Sequence, residues 1–233
     1  MSRGDITNSA RLLMAPGGVH EVRIPKAGRF GTISGCFDDP EKLAAAVEEF
    51  DGCYPAIYIS LNPCNPALLA RADNRLKPYT EQTTSDNYIL RRRWLGIDFD
   101  PVRPSGISST NYEHGRAIAV ACGAWDELRS AGWGDPIVGD SGNGGHLIYS
   151  FDAPNTDEIK ILAQRLLAGV ARRCGTEDVA IDLTVFNAAQ VWKLYGTLAC
   201  KGDSTAARPH RRSRLLEVPD KIGTVPLPGR LGA

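Results

Sequence analysis

The sequence lacks most of the features that would place it at a glance. No apolar run approaches the roughly 20 residues a membrane-spanning helix needs, and there is no C-x-x-C pair, internal repeat or low-complexity block. Net charge is absent too, since 27 basic residues balance 27 acidic ones. That balance excludes a uniformly basic protein coating nucleic acid and leaves only local patches. The N-terminal stretch MSRGDITNSARLL has no signal-peptide hydrophobic segment, so a cytoplasmic location is expected. In a reducing compartment the scattered cysteines (Cys36, Cys53, Cys64, Cys122, Cys174 and Cys200) read as free thiols. A structural zinc built from distant cysteines with His20 or His210 stays open. What is present is ordinary: 233 residues, 42% of them hydrophobic, enough for one large domain or two small ones with a proper core.

Strands and helices alternate along the chain. HEVRIP (20–25) and GTISGCF (31–37) read as a hairpin. DDPEKLAAAVEEF (38–50) reads as an amphipathic helix, with Asp38 or Asp39 as N-cap and Pro40 at its first position. YPAIYISLNP (54–63) alternates like a strand. Residues 63–88, rich in Pro, Asn, Asp and Thr, form a loop long enough to be functional or mobile. The clearest helix covers 109–133, where Thr110 and Glu113 make a capping-box signature. PIVGDSGNGGHLIYSF (136–151) reads as strand, Gly-rich turn, strand; 157–175 as a second long helix; VAIDLT (179–184) as a strand. Residues 186–203 read as mixed helix and loop, and SRLLEVP (213–219) as strand-like. Hairpins among the alternating elements argue for an α+β (mixed α/β) fold and not a doubly wound parallel sheet.

Within this pattern WLGIDFDP (94–101) stands out. Asp98 and Asp100, two residues apart on a strand, point to the same face about 6.6 Å apart. Two anions held that close repel unless protons or a cation intervene. Asp182, at the end of another strand, offers a third carboxylate, and an all-oxygen set of this kind suits Mg²⁺ or Mn²⁺. Paired divalent cations bridged by carboxylates are what two-metal phosphoryl transfer requires. In GDSGNGGHLIY the glycines let backbone N–H groups approach an anion, and Ser141 and His146 flank the turn. Each element has a plain structural reading as well: a solvated strand end, a tight hairpin, a satisfied histidine. The basic runs Arg91–Arg93 and Arg208–Arg214 are solvated faces or a track for template phosphates, with Arg91, Arg93, Arg211 and Arg212 the candidates. Tyr88, Tyr112 and Trp94 are core aromatics or stacking platforms.

Taken in order, GIDFDP, DSGNGGHLIY and IDLTVFNAAQVWKLYGTLACKGD resemble the three motifs of the archaeo-eukaryotic primase (AEP) superfamily. Flanks such as YISLNP, TTSDNYILRRRWL and RPSGISSTNYE are similar to the primase-polymerase (Prim-Pol) domains of bacteria, phages and plasmids, including CRISPR-associated ones. The resemblance spans roughly residues 20–218. It implies an AEP core, an RRM-like antiparallel or mixed sheet flanked by helices with an N-terminal α/β part. A single catalytic domain over 1–222 is then expected, with parts at 18–90 and 91–218 and a linker-like tail at 223–233.

The same resemblance implies site roles. Asp98, Asp100 and Asp182 would hold two divalent cations. Ser141, Asn143, Gly145 and His146 would contact the triphosphate, with Lys193, Thr197 and Lys201 at positions whose cations or hydroxyl meet phosphates. The spacing S-G-N-G-G-H departs from the tighter S-x-H, which leaves open whether Ser141 or Asn143 makes the polar contact. The implied partners are a DNA template and primer, nucleoside triphosphates, and possible further C-terminal domains or CRISPR or replication proteins. A monomer away from membranes is expected. The alternatives are another D-x-D metal enzyme, such as a nuclease or nucleotide-sugar transferase, or a non-catalytic nucleic-acid-binding module.

Overall fold

The computed structural model describes residues 3–226. Along them run α1 (Arg3–Leu13), β1 (His20–Ile24), β2 (Ile33–Phe37), α2 (Pro40–Glu48), β3 (Tyr58–Ser60), β4 (Arg91–Pro101), α3 (Asn111–Ser130) and β5 (Ile137–Asp140). They continue with β6 (Gly145–Pro154), α4 (Asp157–Cys174), β7 (Val179–Ile181), β8 (Val191–Lys193), β9 (Leu198–Ala199), β10 (Arg211–Arg212) and β11 (Arg214–Glu217). The strands make a four-stranded sheet, β2-β1-β3-β8, a five-stranded sheet, β11-β5-β6-β4-β7, and the small pair β10-β9. Every ladder is antiparallel, as the α+β reading requires. Among the described residues no helix is long and apolar enough to cross a membrane.

Strand β4 organises the larger sheet because its alternation is clean. Leu95, Ile97 and Phe99 are buried on the face that carries α3 and α4. Each such side chain contributes about 1.5–3 kcal/mol by leaving water. On the opposite face stand Trp94, Gly96, Asp98 and Asp100, turned toward the smaller sheet. Helix α3 starts where its cap dictates: the Thr110 side chain accepts from Glu113 N–H, and the Glu113 carboxylate accepts from Thr110 N–H. Helix α2 starts at Asp39, whose carboxylate accepts from the N–H groups of Glu41 and Lys42.

Three stretches differ from expectation. Residues 3–13 form a helix that packs on α2 through Ile6, Ala10 and Leu13. Residues 186–203 contain no helix; Val191–Lys193 instead forms β8 and joins β3. The strand completing the smaller sheet therefore comes from the motif-bearing half, and the parts expected at 18–90 and 91–218 share a sheet. The loop 63–88 is a strap in its middle. Ser34 and Lys77 exchange backbone hydrogen bonds, Asn74 N–H donates to Cys36 O and Thr80 N–H to Thr32 O, which covers the free edge of β2. Gly35 permits the approach, since a Cβ there would lie 1.9 Å from Arg75 O.

Of the linker-like tail, 223–226 are described and packed. Gly223 O accepts from Ser150 N–H, Val225 N–H donates to Ser150 O, and Val225 is buried. Residues 227–233 lie outside the described residues.

Candidate active site

The register of the larger sheet sets the floor of a cleft. Asp98 pairs with His146 across the β4–β6 ladder. On its other side, Asp182 follows β7 and donates its N–H to Asp98 O at 3.0 Å. Asp182 fixes its own carboxylate, because Oδ1 accepts from Thr184 N–H and Oγ1. Asp100 lies one pleat further along β4, beside Arg103 at 3.3 Å. Burial pushes the Asp100 carboxyl above its ordinary range and the charge of Asp98 adds to this, while Arg103 and Lys201 pull it back. Asp98 Oδ1 is buried and accepts no hydrogen bond among the described residues.

Two aromatic residues of the 186–203 segment pack against His146, and one of them, Trp192, also lines the cleft. Trp192 packs against His146 with the rings tilted at 45° and their centres 4.2 Å apart, and crowds the place of a Cβ on Gly96, which would lie 2.5 Å from the indole. Tyr195 takes the space a Cβ on Gly139 would need, 2.2 Å from its hydroxyl. The glycines of L-G-I-D and V-G-D are thus clearances for these rings. Trp192 Nε1–H donates to the Tyr195 hydroxyl at 3.0 Å, and that hydroxyl lies 2.8 Å from His146 Nδ1. With Tyr195 donating to Nδ1, Nε2 is the ring nitrogen that carries a proton, facing Asp98 and the cleft.

The turn between β5 and β6 supplies the cleft's polar end. Ser141 Oγ is used by the turn itself, accepting from the N–H groups of Asn143 and Gly144 and donating to Gly144 O. Asn143 Oδ1 accepts from Ser109 N–H and Oγ–H, which orients the carboxamide; its amide nitrogen donates to nothing among the described residues. Asp140, just before the turn, is buried and accepts from Gly142 N–H, with His114 Nε2 at 2.8 Å. Burial would raise its pKa, yet these partners hold it below the ordinary value.

The smaller sheet forms the opposite wall. Tyr58 and Lys193 are register partners on β3 and β8. Tyr58 is pushed up to about 12 by burial and by the charges of Asp98 and Asp100. Lys193 is nearly fully buried, its Nζ donating to Leu198 O. Burial lowers its pKa to about 7, opposed by Asp51 and Cys200 and assisted by Arg212 and Lys201. The cleft encloses about 370 Å³, and Asp98, Asp100, Asp182, Ser141, Asn143, His146, Lys193 and Lys201 all line it, with Tyr58 and Gln190. A larger cavity of about 660 Å³ lies behind the turn, beside His114, Asp140 and Arg214. Its carboxylate at Asp140 accepts from Gly142 N–H and lies against His114 and Arg214, whereas Asp98 Oδ1 accepts no hydrogen bond among the described residues.

Other sequence-proposed residues lie elsewhere. Gly145 faces α3: a Cβ there would meet Ala121 Cβ at 2.8 Å, so this glycine serves helix packing and not a nucleotide. Thr197 is wholly buried and donates Oγ1–H to Leu194 O. Arg91, seven residues from Asp98 along β4, pairs with Asp152. Arg93 lays its guanidinium over Trp94, and Trp94 is itself buried, donating to Leu13 O. Arg211 donates to Ser109 O and Asn111 Oδ1, and Arg212 to Asp51 and Gly196 O. Both brace loops with donors that a phosphate contact would need. His20 has each ring nitrogen engaged, Nε2 by Ala15 N–H and Nδ1 with Ser60 O, which leaves no lone pair for zinc.

Sequence reasoning missed Tyr58, Arg103, Trp192 and Tyr195. The alternation of AIYIS placed Tyr58 on the face away from the core isoleucines, and the small residues at Gly96 and Gly139 marked where large rings descend. Those were the available signals.

Searches with the sequence match no family model and no curated protein. The fold does match solved structures. The AEP domain of the cyanophage S-2L primase-polymerase overlays with a TM-score of 0.57 at 15% identity, covering 95% of this chain and 92% of that one. The chain has the AEP fold. Primase RepB′ overlays at 0.54 with 10% identity, over 95% of this chain and 58% of its own length. The polymerase domain of Mycobacterium tuberculosis ligase D, in complex with DNA, gives 0.45 at 15% identity over 90% and 80%. On the AEP fold of this chain the cleft lies between the two sheets.

Among the described residues no three His, Cys, Asp or Glu side chains converge as a ready-made metal cage. The donor set is nonetheless one a hard divalent cation fits. It comprises an orphaned carboxylate oxygen on Asp98, a second carboxylate whose ionisation its neighbour opposes, and the Oδ2 of Asp182 left over by Thr184.

Proposed function

We propose that this chain is a DNA primase-polymerase domain, a template-dependent nucleotidyltransferase that joins nucleoside triphosphates and releases pyrophosphate. The observation that carries the reading is the convergence of Asp98, Asp100 and Asp182 with the 140–146 turn and two lysines in one cleft. The AEP fold, shared with domains described as primase-polymerase and primase, supports it.

Asp98, Asp100 and Asp182 would hold Mg²⁺ or Mn²⁺. Bound there, divalent cations lower the pKa of an attacking hydroxyl and neutralise phosphate charge. The chain's own groups position the triphosphate. The Asn143 amide and His146 Nε2–H are donors already oriented by Ser109 and Tyr195, so little ordering cost remains on binding. Lys193 is desolvated, which lowers its pKa to about 7; a triphosphate beside it favours the charged form. Lys201 adds a second cation at the rim. The bond made is from the primer 3′-oxygen to the α-phosphorus, and the bond broken is from that phosphorus to the bridging oxygen of pyrophosphate. In-line placement and charge neutralisation suffice, with no protein nucleophile.

The test is extension of a labelled primer on a DNA template, with deoxyribonucleotides or ribonucleotides and either Mg²⁺ or Mn²⁺. Template-directed lengthening is expected. No lengthening under any combination contradicts the reading, and an unprimed template in the same assay reports whether chains are also started.

A further inference from the structure

We infer that the hairpin tip 25–31 and the strap 71–82 together form a binding surface for single-stranded nucleic acid, with Tyr79 as a base-stacking platform. The inference extends the polymerase reading and rests on it for the identity of the strand as template.

The charge distribution is the first observation. Most arginines elsewhere are spent on acids: Arg3 on Glu48, Arg91 on Asp152, Arg116 on Asp178, Arg208 on Glu113, Arg212 on Asp51. The two segments differ. Lys26, Arg29, Arg71, Arg75 and Lys77 are all exposed, and among the described residues none makes an ion pair or a side-chain hydrogen bond. Only Asp73 and Glu81 oppose them within these segments. On a chain with no net charge, this is a local concentration of unspent cations, the electrostatic footprint of a phosphate track.

The second observation is an aromatic side chain held outward against its preferences. Tyr79 has φ +56°, a left-handed conformation that a bulky residue adopts at a cost, and it is 63% exposed. The strap fixes it there, with Tyr79 N–H donating to Phe30 O and Thr80 N–H to Thr32 O. Phe30 supports the ring edge-on at 5.9 Å and carries the Arg29 guanidinium 4.8 Å above its own face. Arg71 repeats the pairing over Tyr88 at 4.9 Å. Exposed rings among guanidinium groups that are not bound to acids are what sequence-tolerant binding of splayed bases uses. Pro25, at the root of the same hairpin, lines the catalytic cleft, so a strand on this surface runs toward the acids.

The test is fluorescence anisotropy of labelled oligothymidylate, with no nucleotide or divalent cation present. Its failure is therefore separate from failure of the catalytic reading, which the extension assay reports. Tyr79→Asn removes the ring and suits the left-handed backbone; it should weaken binding about tenfold. Tyr79→Phe should bind like wild type, and Tyr112→Ala, an exposed ring on α3, should change nothing. An abasic oligomer of equal length should bind wild type more weakly and be indifferent to Tyr79→Asn. Arg29→Gln with Lys77→Gln should lower the salt slope by about 1.4, at roughly 0.7 for each single-strand phosphate contact. Equal binding by wild type and Tyr79→Asn overturns the platform, as does equal loss in Tyr79→Phe. An unchanged slope overturns the track.

Discussion

His146 Nε2 lies 3.3 Å from Asp98 Oδ1, directly across the β4–β6 ladder. The approach is close without the alignment of a hydrogen bond, so the buried carboxylate oxygen keeps no donor while the imidazole is held from behind. Trp192 and Tyr195 do the holding, so the free tip of His146 faces the cleft. Buried oxygens left unsatisfied cost about 1–3 kcal/mol, a stored preference for whatever cation or ligand donor arrives.

Tyr195→Phe tests the chain from Trp192 through Tyr195 to His146. The indole N–H loses its acceptor in a buried site, and stability should fall by about 1–3 kcal/mol, read as a shift in urea midpoint at unchanged slope. In the extension assay KM for nucleotide should rise more than kcat falls, since the imidazole is no longer oriented. An unchanged KM removes Tyr195 from a positioning role.

The clearance glycines make a second test. Gly96→Ala places a Cβ 2.5 Å from the Trp192 ring, and such overpacking costs about 1–3 kcal/mol. Gly123→Ala is the control. It lies within α3 with nothing near its Cβ, so it should stabilise by about 0.5–1 kcal/mol through helix propensity. Thermal denaturation should move the two variants in opposite directions.

His20 sets a pH dependence of stability. Burial, the main cause, lowers its pKa to about 4, partly offset by the bond to Ser60 and reinforced by Arg93. The unfolded chain takes up its proton near pH 6.5, so folded stability from neutral His20 is complete above that value. It declines as pH falls from about 6.5 to about 4, by about 3 kcal/mol in all. Folding free energies of wild type and His20→Gln should therefore converge across that window. A constant gap would mean that His20 does not stay neutral in the fold.

Much of this architecture was legible because local signals and tertiary needs agreed. Thr110 and Glu113 announced α3, Asp39 and Pro40 announced α2, and the alternation of β4 put Asp98 and Asp100 on one face. Helix α1 was not legible, since Gly4, Thr7, Asn8 and Ser9 are poor helix formers and the burial of Thr7 and Ser9 comes from tertiary packing. Strand β8 was missed because three residues show no periodicity; its partner β3 defines it. The same non-local pairing brings Tyr58 beside Lys193, which neither segment reveals alone. The family resemblance named Asn143, His146 and Lys193 as candidates, and equally Gly145 and Thr197. Only side-chain direction separates them, with Gly145 turned to α3 and Thr197 to Leu194 O. The basic runs misled for a related reason. Arg211 and Arg212 are committed to intramolecular acceptors, whereas the unpaired cations lie in a strap whose composition resembled plain loop.

The most direct test of the catalytic reading is Asp98→Asn with Asp100→Asn in the primer-extension assay, beside a measurement of folding stability. Removing two neighbouring half-buried charges relieves the repulsion that raises Asp100, so the metal-free double variant should be at least as stable as wild type. Its extension activity should fall to background with Mg²⁺ and with Mn²⁺. A folded double variant that still extends the primer would contradict the assignment of this cleft as the site of nucleotidyl transfer.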